Sequence, residues 1–346
     1  TGSHNTAVGR HALNANTTAS ENTAVGRSSL LNNTTGGLNT AVGYEALKLN
    51  TTGLHNTAIG SDALAACTGG EKNVAIGRLS MGQGGSDPDR CVAVGAYTLE
   101  NNIEDFNTAV GADALNDNTT GSSNTAVGAY ALDANTTVSG LTAVGFAALG
   151  ANTTGTHNTA MGFQALLVNT TGLANSAFGY EALAACTTGE KNCAFGSYAL
   201  EALTTAEDNV AIGHDCQENN VTGSQNIALG TRTMHTNTSA DRNVAVGHES
   251  LFTLDVNMDS FNVAVGYQAG YSMTSGYFNT CVGGEAGKPL TTGQNNTLLG
   301  CQAGTSSSPS GALTGSNNRV VLGDNNVSHL YCADTSISSS DSRDKT

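Results

Sequence analysis

Asn39-Thr40-Ala41-Val42-Gly43-Tyr44-Glu45-Ala46-Leu47-Lys48-Leu49-Asn50-Thr51-Thr52-Gly53-Leu54-His55 is followed at once by Asn56-Thr57-Ala58-Ile59-Gly60, the same phrase begun again. With the glycine that closes Asn-Thr-Ala-Val-Gly as a phase marker, the unit recurs at Gly9, Gly26, Gly43, Gly60 and onward to Gly323. There are nineteen such glycines, and fourteen of the eighteen intervals between them are 17 residues. An 18 before Gly95 is cancelled by a 16 before Gly111, whereas 19 before Gly266 and 23 before Gly323 are insertions. A fixed short period with occasional insertions is the signature of stacked coils.

The opening Thr-Ala-Val segment is short, alternating and β-branched, and Asn-Thr-Thr-Gly carries turn chemistry. The pattern predicts an all-β parallel β-solenoid, a β-roll of 17-residue coils with two short strands per coil. Helix is not expected, because an Ala-Leu pair every 17 residues lacks the i, i+3, i+4 spacing of an amphipathic helix. Thr and Val flank the central Ala on one strand face. The other face is Ala at sixteen of nineteen coils, as at Ala7, Ala24, Ala41 and Ala58. A strand restricted to Ala on one side and apolar on the other is expected to be covered on both. Which side is the coil interior stays open.

Trp is absent and aromatic residues are 5% of the 346, so the interior must be thin and lined by small side chains. Such a coil buries little apolar area against the backbone entropy of its residues, and burial against further copies of the chain would make up the difference. Co-axial self-association is therefore expected, and the resemblance given below implies, as much as this shortfall in burial does, that it is a homotrimer. The 28 acidic against 13 basic residues give a formal charge of -15, which disfavours nucleic acid and anionic lipid as partners. No stretch approaches 18 apolar residues, so no membrane insertion is expected. The chain opens in mid-repeat without the features of a signal peptide and reads as a piece of something longer.

Several groups of residues invite a chemical role. Asn16, Asn33 and Asn50 share one repeat position and are formal glycosylation acceptors, but at this period they are expected to stack as an amide ladder. The eight cysteines include no C-x-x-C pair and are read as small buried thiols. The eight histidines fall on different repeat positions and do not converge on a nucleophile or metal, so no cofactor, no metal and no catalytic residue is expected. Glu45, Asp62, Asp113, Glu181, Asp215 and Glu249 share the second position after the glycine and are read as a solvated column. No concentrated aromatic or basic patch stands out as a receptor site.

The organisation changes near residue 267. Residues 1–266 are regular repeats. Residues 267–323 exchange Ala-Leu for Ala269-Gly270, Ala286-Gly287 and Ala303-Gly304, replace the strand alanine by Cys281, Leu298 and Val321, and carry a Ser-rich insertion from Thr305 to Ser310. Residues 324–346 read as a connector to a C-terminal domain.

Two resemblances follow from these motifs. The run of Asn-Thr-Ala-Val-Gly units resembles the left-handed parallel β-roll heads of trimeric autotransporter adhesins, over Asn5 to about Gly300. Asn318-Arg319-Val320-Val321-Leu322-Gly323, with Ser340-Asp341-Ser342-Arg343-Asp344-Lys345, resembles the junction that precedes the self-cleaving intramolecular chaperone of phage tailspikes and tail fibres. In that family a large apolar residue usually precedes the Lys, where Asp344 stands here. This resemblance implies a processing bond between Ser340 and Asp341. It also implies a trimeric, non-enzymatic shaft on the virion surface, with a host surface receptor, a glycan being one candidate, as partner. A cell-surface trimeric adhesin, and a tailspike depolymerase whose active site lies outside these residues, are the alternatives.

Overall fold

The computed structural model describes residues 2–85 and 87–329. It is an all-β parallel solenoid with nineteen strands of three residues each, from Thr6–Val8 to Val320–Leu322. Each strand pairs in parallel with that of the next coil and in strict register, so that Thr40 faces Thr57, Ala41 faces Ala58 and Val42 faces Ile59. The 16, 18, 19 and 23-residue intervals leave this register intact, as Val244 to Val263 and Thr297 to Val320 demonstrate. Among the described residues no helix is long and apolar enough to cross a membrane.

There is one strand per coil, where two were expected. Asn-Thr-Thr-Gly forms bends. Its backbone still joins the stack, since the Thr51 and Thr52 amides both donate to the Thr68 carbonyl at 2.7 and 3.3 Å. Both amides converge on one oxygen, which an extended ladder does not do.

The chain closes its coil at residues with left-handed backbone. The strand glycines have φ of 131° to 141° at Gly9, Gly26, Gly43 and Gly60, in a region that only glycine enters freely. Three further positions per coil are left-handed without glycine, as at Glu45 (φ 56°), Leu47 (φ 50°) and His55 (φ 59°). Such residues disfavour this conformation by about 1 kcal/mol or more each, and the stack must hold them there. Their amides show how: Glu45 donates to the Arg27 carbonyl at 3.0 Å, Leu47 to Ala63 at 3.0 Å and His55 to Gly37 at 3.2 Å. Each bond runs to a neighbouring coil, so an isolated coil would have none of them.

The interior is the alanine side. Ala24, Ala41, Ala58 and Ala75 are fully buried, as are Leu30, Leu47 and Leu64, while the flanking Thr and Val side chains are half-buried or exposed. The order of these residues alternates small and large across the coil, which suits a thin, close-packed core.

Past Leu251 the same volume is filled differently. The leucine four residues after the glycine gives way to Gly270, Gly287 and Gly304, and the asparagine seven after it gives way to Leu254, Met273 and Leu290, all three fully buried. A Cβ on Gly287 would lie 2.5 Å from Cys281 Sγ and 3.0 Å from Leu298 Cδ1. The larger side chains at Cys281 and Leu298 thus occupy the space that a leucine holds in the earlier coils. This is a volume-conserving exchange within one rung, the kind of core change that packing tolerates best.

Candidate functional surfaces and side-chain ladders

The stacking of like residues sets every surface of this molecule. Two buried asparagine columns come first. In the strand-entry column Asn39 illustrates the arrangement: its Oδ1 accepts the Asn56 amide at 2.9 Å and its Nδ2 donates to the Gly53 carbonyl at 2.8 Å. One side chain therefore ties its own coil's turn and the next coil's strand entry together. In the turn column Asn33 donates to the Gly36 carbonyl at 2.8 Å, and Asn50 Nδ2 donates to Asn33 Oδ1 at 2.8 Å. Asn16 is half-buried, whereas Asn33 and Asn50 are fully buried. Fully buried amides cannot take a glycan on the folded chain. Asn50 Oδ1 and Asn169 Oδ1 are buried without a partner. Their successors one coil on are Cys67 and Cys186, which have no amide to give.

Those two thiols, with Cys91, Cys216 and Cys281, are buried. Burial pushes Cys67, Cys216 and Cys281 up to about 12, so they remain protonated and inert. Cys193 is half-buried and Cys301 exposed. Cys332 and the Ser340-Asp341 junction lie outside the described residues.

Aromatic residues form exposed and half-buried ladders that the sequence reading missed. Phe146, Phe163 and Tyr180 stack at 5.4 and 5.0 Å with ring planes within 14°. Tyr130 and Tyr198 abut the two ends edge-on at 5.8 and 5.3 Å. A second ladder runs His235, Phe252, Tyr271 at 5.2 and 5.0 Å, and a third pairs Phe261 with Phe278 at 5.5 Å. The signal was present: Phe146, Phe163 and Tyr180 are spaced by the repeat period of 17. Arg27 lies over Tyr44, Arg78 over Tyr97 and Arg232 over Phe252, at 5.4, 5.4 and 4.8 Å, so the scarce cations cover ring faces.

The carboxylates expected to form a solvated column are half-buried or, at Glu249, buried, and three of them meet a basic side chain. Glu45 meets Lys48 at 2.7 Å, Glu249 meets Arg232 at 3.0 Å and Asp215 meets His214 at 2.9 Å. Hydrogen bonds from Lys48 first, then Tyr44, hold the Glu45 carboxyl below its ordinary range.

Acids without such a partner respond in the opposite sense. Burial first, then the charges of Asp117 and Asp113, push Asp133 up to about 6. A carboxyl raised in the fold favours folding below its unfolded value near 4, and that contribution is lost as pH rises through about 6. Asp133→Asn is therefore expected to stabilise the chain at pH 7.5 by on the order of 1 kcal/mol, after allowance for solvent screening, and to change little at pH 4. Urea midpoints at the two pH values measure this, and equal shifts at both would contradict it.

Asp215, Glu218 and His235 are the one group of three or more His, Cys, Asp or Glu side chains, among the described residues, whose ligand atoms all lie within 4.8 Å of one another. The histidines had been read as dispersed. Stacking brings His235 over Glu218, at 2.8 Å, because the two occupy the same place in consecutive coils. Comparison of the chain with protein-family models, with curated proteins and with solved structures found no match.

Proposed function

We propose that this chain is the structural shaft of a trimeric virion fibre serving host attachment, with a processing junction at Ser340-Asp341 cut by a C-terminal self-cleaving chaperone. In this reading it is not an enzyme, it acts at the virion or cell exterior, and its partners are two further copies of itself and a host surface receptor, a glycan being one candidate.

The observation that carries the reading is the outward strand face. Ile59, Val110, Val127, Met161, Phe195 and Ile212 are 36% to 49% exposed, one above another, along the length of the solenoid. With nineteen rungs about 4.8 Å apart and a face roughly 10 Å wide, the stripe covers on the order of 900 Å². About half of it, the column of Val, Ile, Met, Phe and Leu beside a column rich in Thr, is apolar, on the scale of the largest apolar patch of an ordinary monomer, about 300 to 600 Å², and the whole face is on the scale of the roughly 800 Å² per partner of a stable interface. Threefold closure around this face removes it from water in every copy without leaving an open heterologous edge. The Ser340-Asp341-Ser342-Arg343 motif supports the virion over the cell surface.

Light scattering on the purified protein is expected to give about 105 kDa, three times the chain's 34.9 kDa. Val127→Glu with Ile212→Glu should dissociate it, and a wild-type mass of 34.9 kDa would refute the assembly. Expression together with the codons downstream of residue 346 should yield a fragment beginning at Asp341 by mass spectrometry. Persistence of an uncut chain would remove the chaperone from the proposal.

A further inference from the structure

We propose that Asp215, Glu218 and His235 form a site for one divalent transition-metal ion of the zinc class per chain. The argument starts from a geometry the molecule uses repeatedly. In the Gly43 and Gly283 coils an acid two residues past the glycine meets a lysine five residues past it, Glu45 with Lys48 at 2.7 Å and Glu285 with Lys288 at 2.6 Å. The Gly213 coil has the acid, Asp215, but its fifth residue is Glu218. Two carboxylates thus share the place where other coils put an ion pair.

No lysine or arginine makes up the missing charge, although His214 meets Asp215 at 2.9 Å. Arg232, the second residue of the next coil, is committed to Glu249 at 3.0 Å and to the face of Phe252. Glu201 adds a third acid from the preceding coil, its carboxyl pushed up by burial first and then by Glu181, Glu218 and Asp215. The group is half-buried, with side-chain exposures of 18% for Asp215, 29% for Glu218 and 20% for His235, so its charges are screened less than those at a free surface.

His235 turns this acidic patch into a site with a preference. Its ring is held flat against Phe252, 5.2 Å away and 7° from parallel, with one nitrogen 2.8 Å from Glu218. An imidazole beside two carboxylates is a mixed nitrogen and oxygen donor set that suits zinc, cobalt or nickel, whereas calcium takes oxygen ligands. Tetrahedral ligand atoms around zinc sit roughly 3.4 Å apart, so small side-chain rotations draw the group from its present 4.8 Å limit onto an ion. Water would complete the coordination. His235 Nδ1 is buried with no hydrogen-bond partner. The ring therefore lacks the outer acceptor that raises affinity in tight sites, and binding on the order of micromolar is expected.

Titration of the assembled protein with zinc chloride by calorimetry should show one ion per chain. Cobalt chloride should give a visible absorption band of the same stoichiometry, and a tenfold excess of calcium chloride should not displace it. Glu218→Gln and His235→Gln should each weaken binding at least tenfold, whereas Glu285→Gln, whose carboxylate faces Lys288, should leave it unchanged. Asp215→Asn provides the same test with the His235–Phe252 stack untouched, should the histidine variant fold poorly by circular dichroism. Absence of saturable binding below 1 mM zinc, displacement by calcium, or unchanged affinity in the Glu218 and Asp215 variants would overturn the proposal.

Discussion

Gly145→Ala is expected to destabilise the solenoid by about 4 kcal/mol or more, while Gly140→Ala, five residues away, is expected to change it by less than about 1 kcal/mol. Gly145 has φ 135°, and a Cβ there would lie 2.2 Å from the Gly162 carbonyl oxygen and 2.5 Å from its carbon. Those atoms are backbone of the next rung and cannot rotate away. Relief requires the two coils to separate, which breaks the Gly162 amide bond to the Val144 carbonyl, 2.7 Å. Gly140 also has positive φ, 73°, but no atom lies within 4 Å of its would-be Cβ. The same column carries Ser123 and His157 at φ 58° and 59°, so a side chain is accommodated there. Denaturant midpoints of the two variants test the contrast, and hydrogen exchange should localise the Gly145→Ala damage to the coils around residue 145. Equal behaviour of the pair would mean that close coil approach does not govern the glycine.

Asn175→Ala is expected to reduce stability by about 3 to 5 kcal/mol, well above the usual effect of removing one polar side chain. Asn175 is fully buried and holds two backbone groups of other segments. Its Oδ1 accepts the Asn192 amide at 3.0 Å, and its Nδ2 donates to the Gly189 carbonyl at 2.7 Å. Alanine leaves both orphaned in a dry interior, at about 1 to 3 kcal/mol each, and leaves a cavity besides. The chain itself departs from asparagine in this column at Cys91, Leu141 and Arg319. At Leu141, which offers no polar group, the next rung bond, Thr142 amide to Asn158 carbonyl, is 3.5 Å against 2.8 to 2.9 Å for its counterparts at Thr40, Thr125 and Thr159, while at Cys91, whose thiol donates to the Glu104 carbonyl at 3.3 Å, the Val92 amide keeps 2.9 Å to Asn107. A loss below about 1 kcal/mol on Asn175→Ala would show that water or backbone adjustment satisfies the orphaned groups.

In a quasi-one-dimensional stack both substitutions act on their own rung and its two neighbours, and the remote coils should keep their protection. The contrast with Asp133→Asn is instructive. That change acts through charge, depends on pH and stabilises, while the glycine and asparagine changes act through geometry and should be insensitive to pH.

The parallel stack was legible in the linear chain because a fixed period places like residue on like, and only an in-register pile of coils makes that repetition useful. Period also sufficed for the asparagine ladder and for the small interior. It could have revealed the aromatic ladders, since Phe146, Phe163 and Tyr180 obey the same spacing of 17. What the linear chain could not decide is where each coil turns. The turns sit at left-handed residues such as Glu45, Leu47 and His55, which carry no turn signature of their own and hold that backbone only through bonds to adjacent coils. The placement of those turns decides that Ala41 points inward and Val42 outward, that Asn-Thr-Thr-Gly bends where a second strand was expected, and that Glu218 and His235 share one column with Asp215 beside them. Periodicity is a property of one dimension. Facing, closure and the meeting of side chains from successive rungs depend on the other two, and those were set by packing.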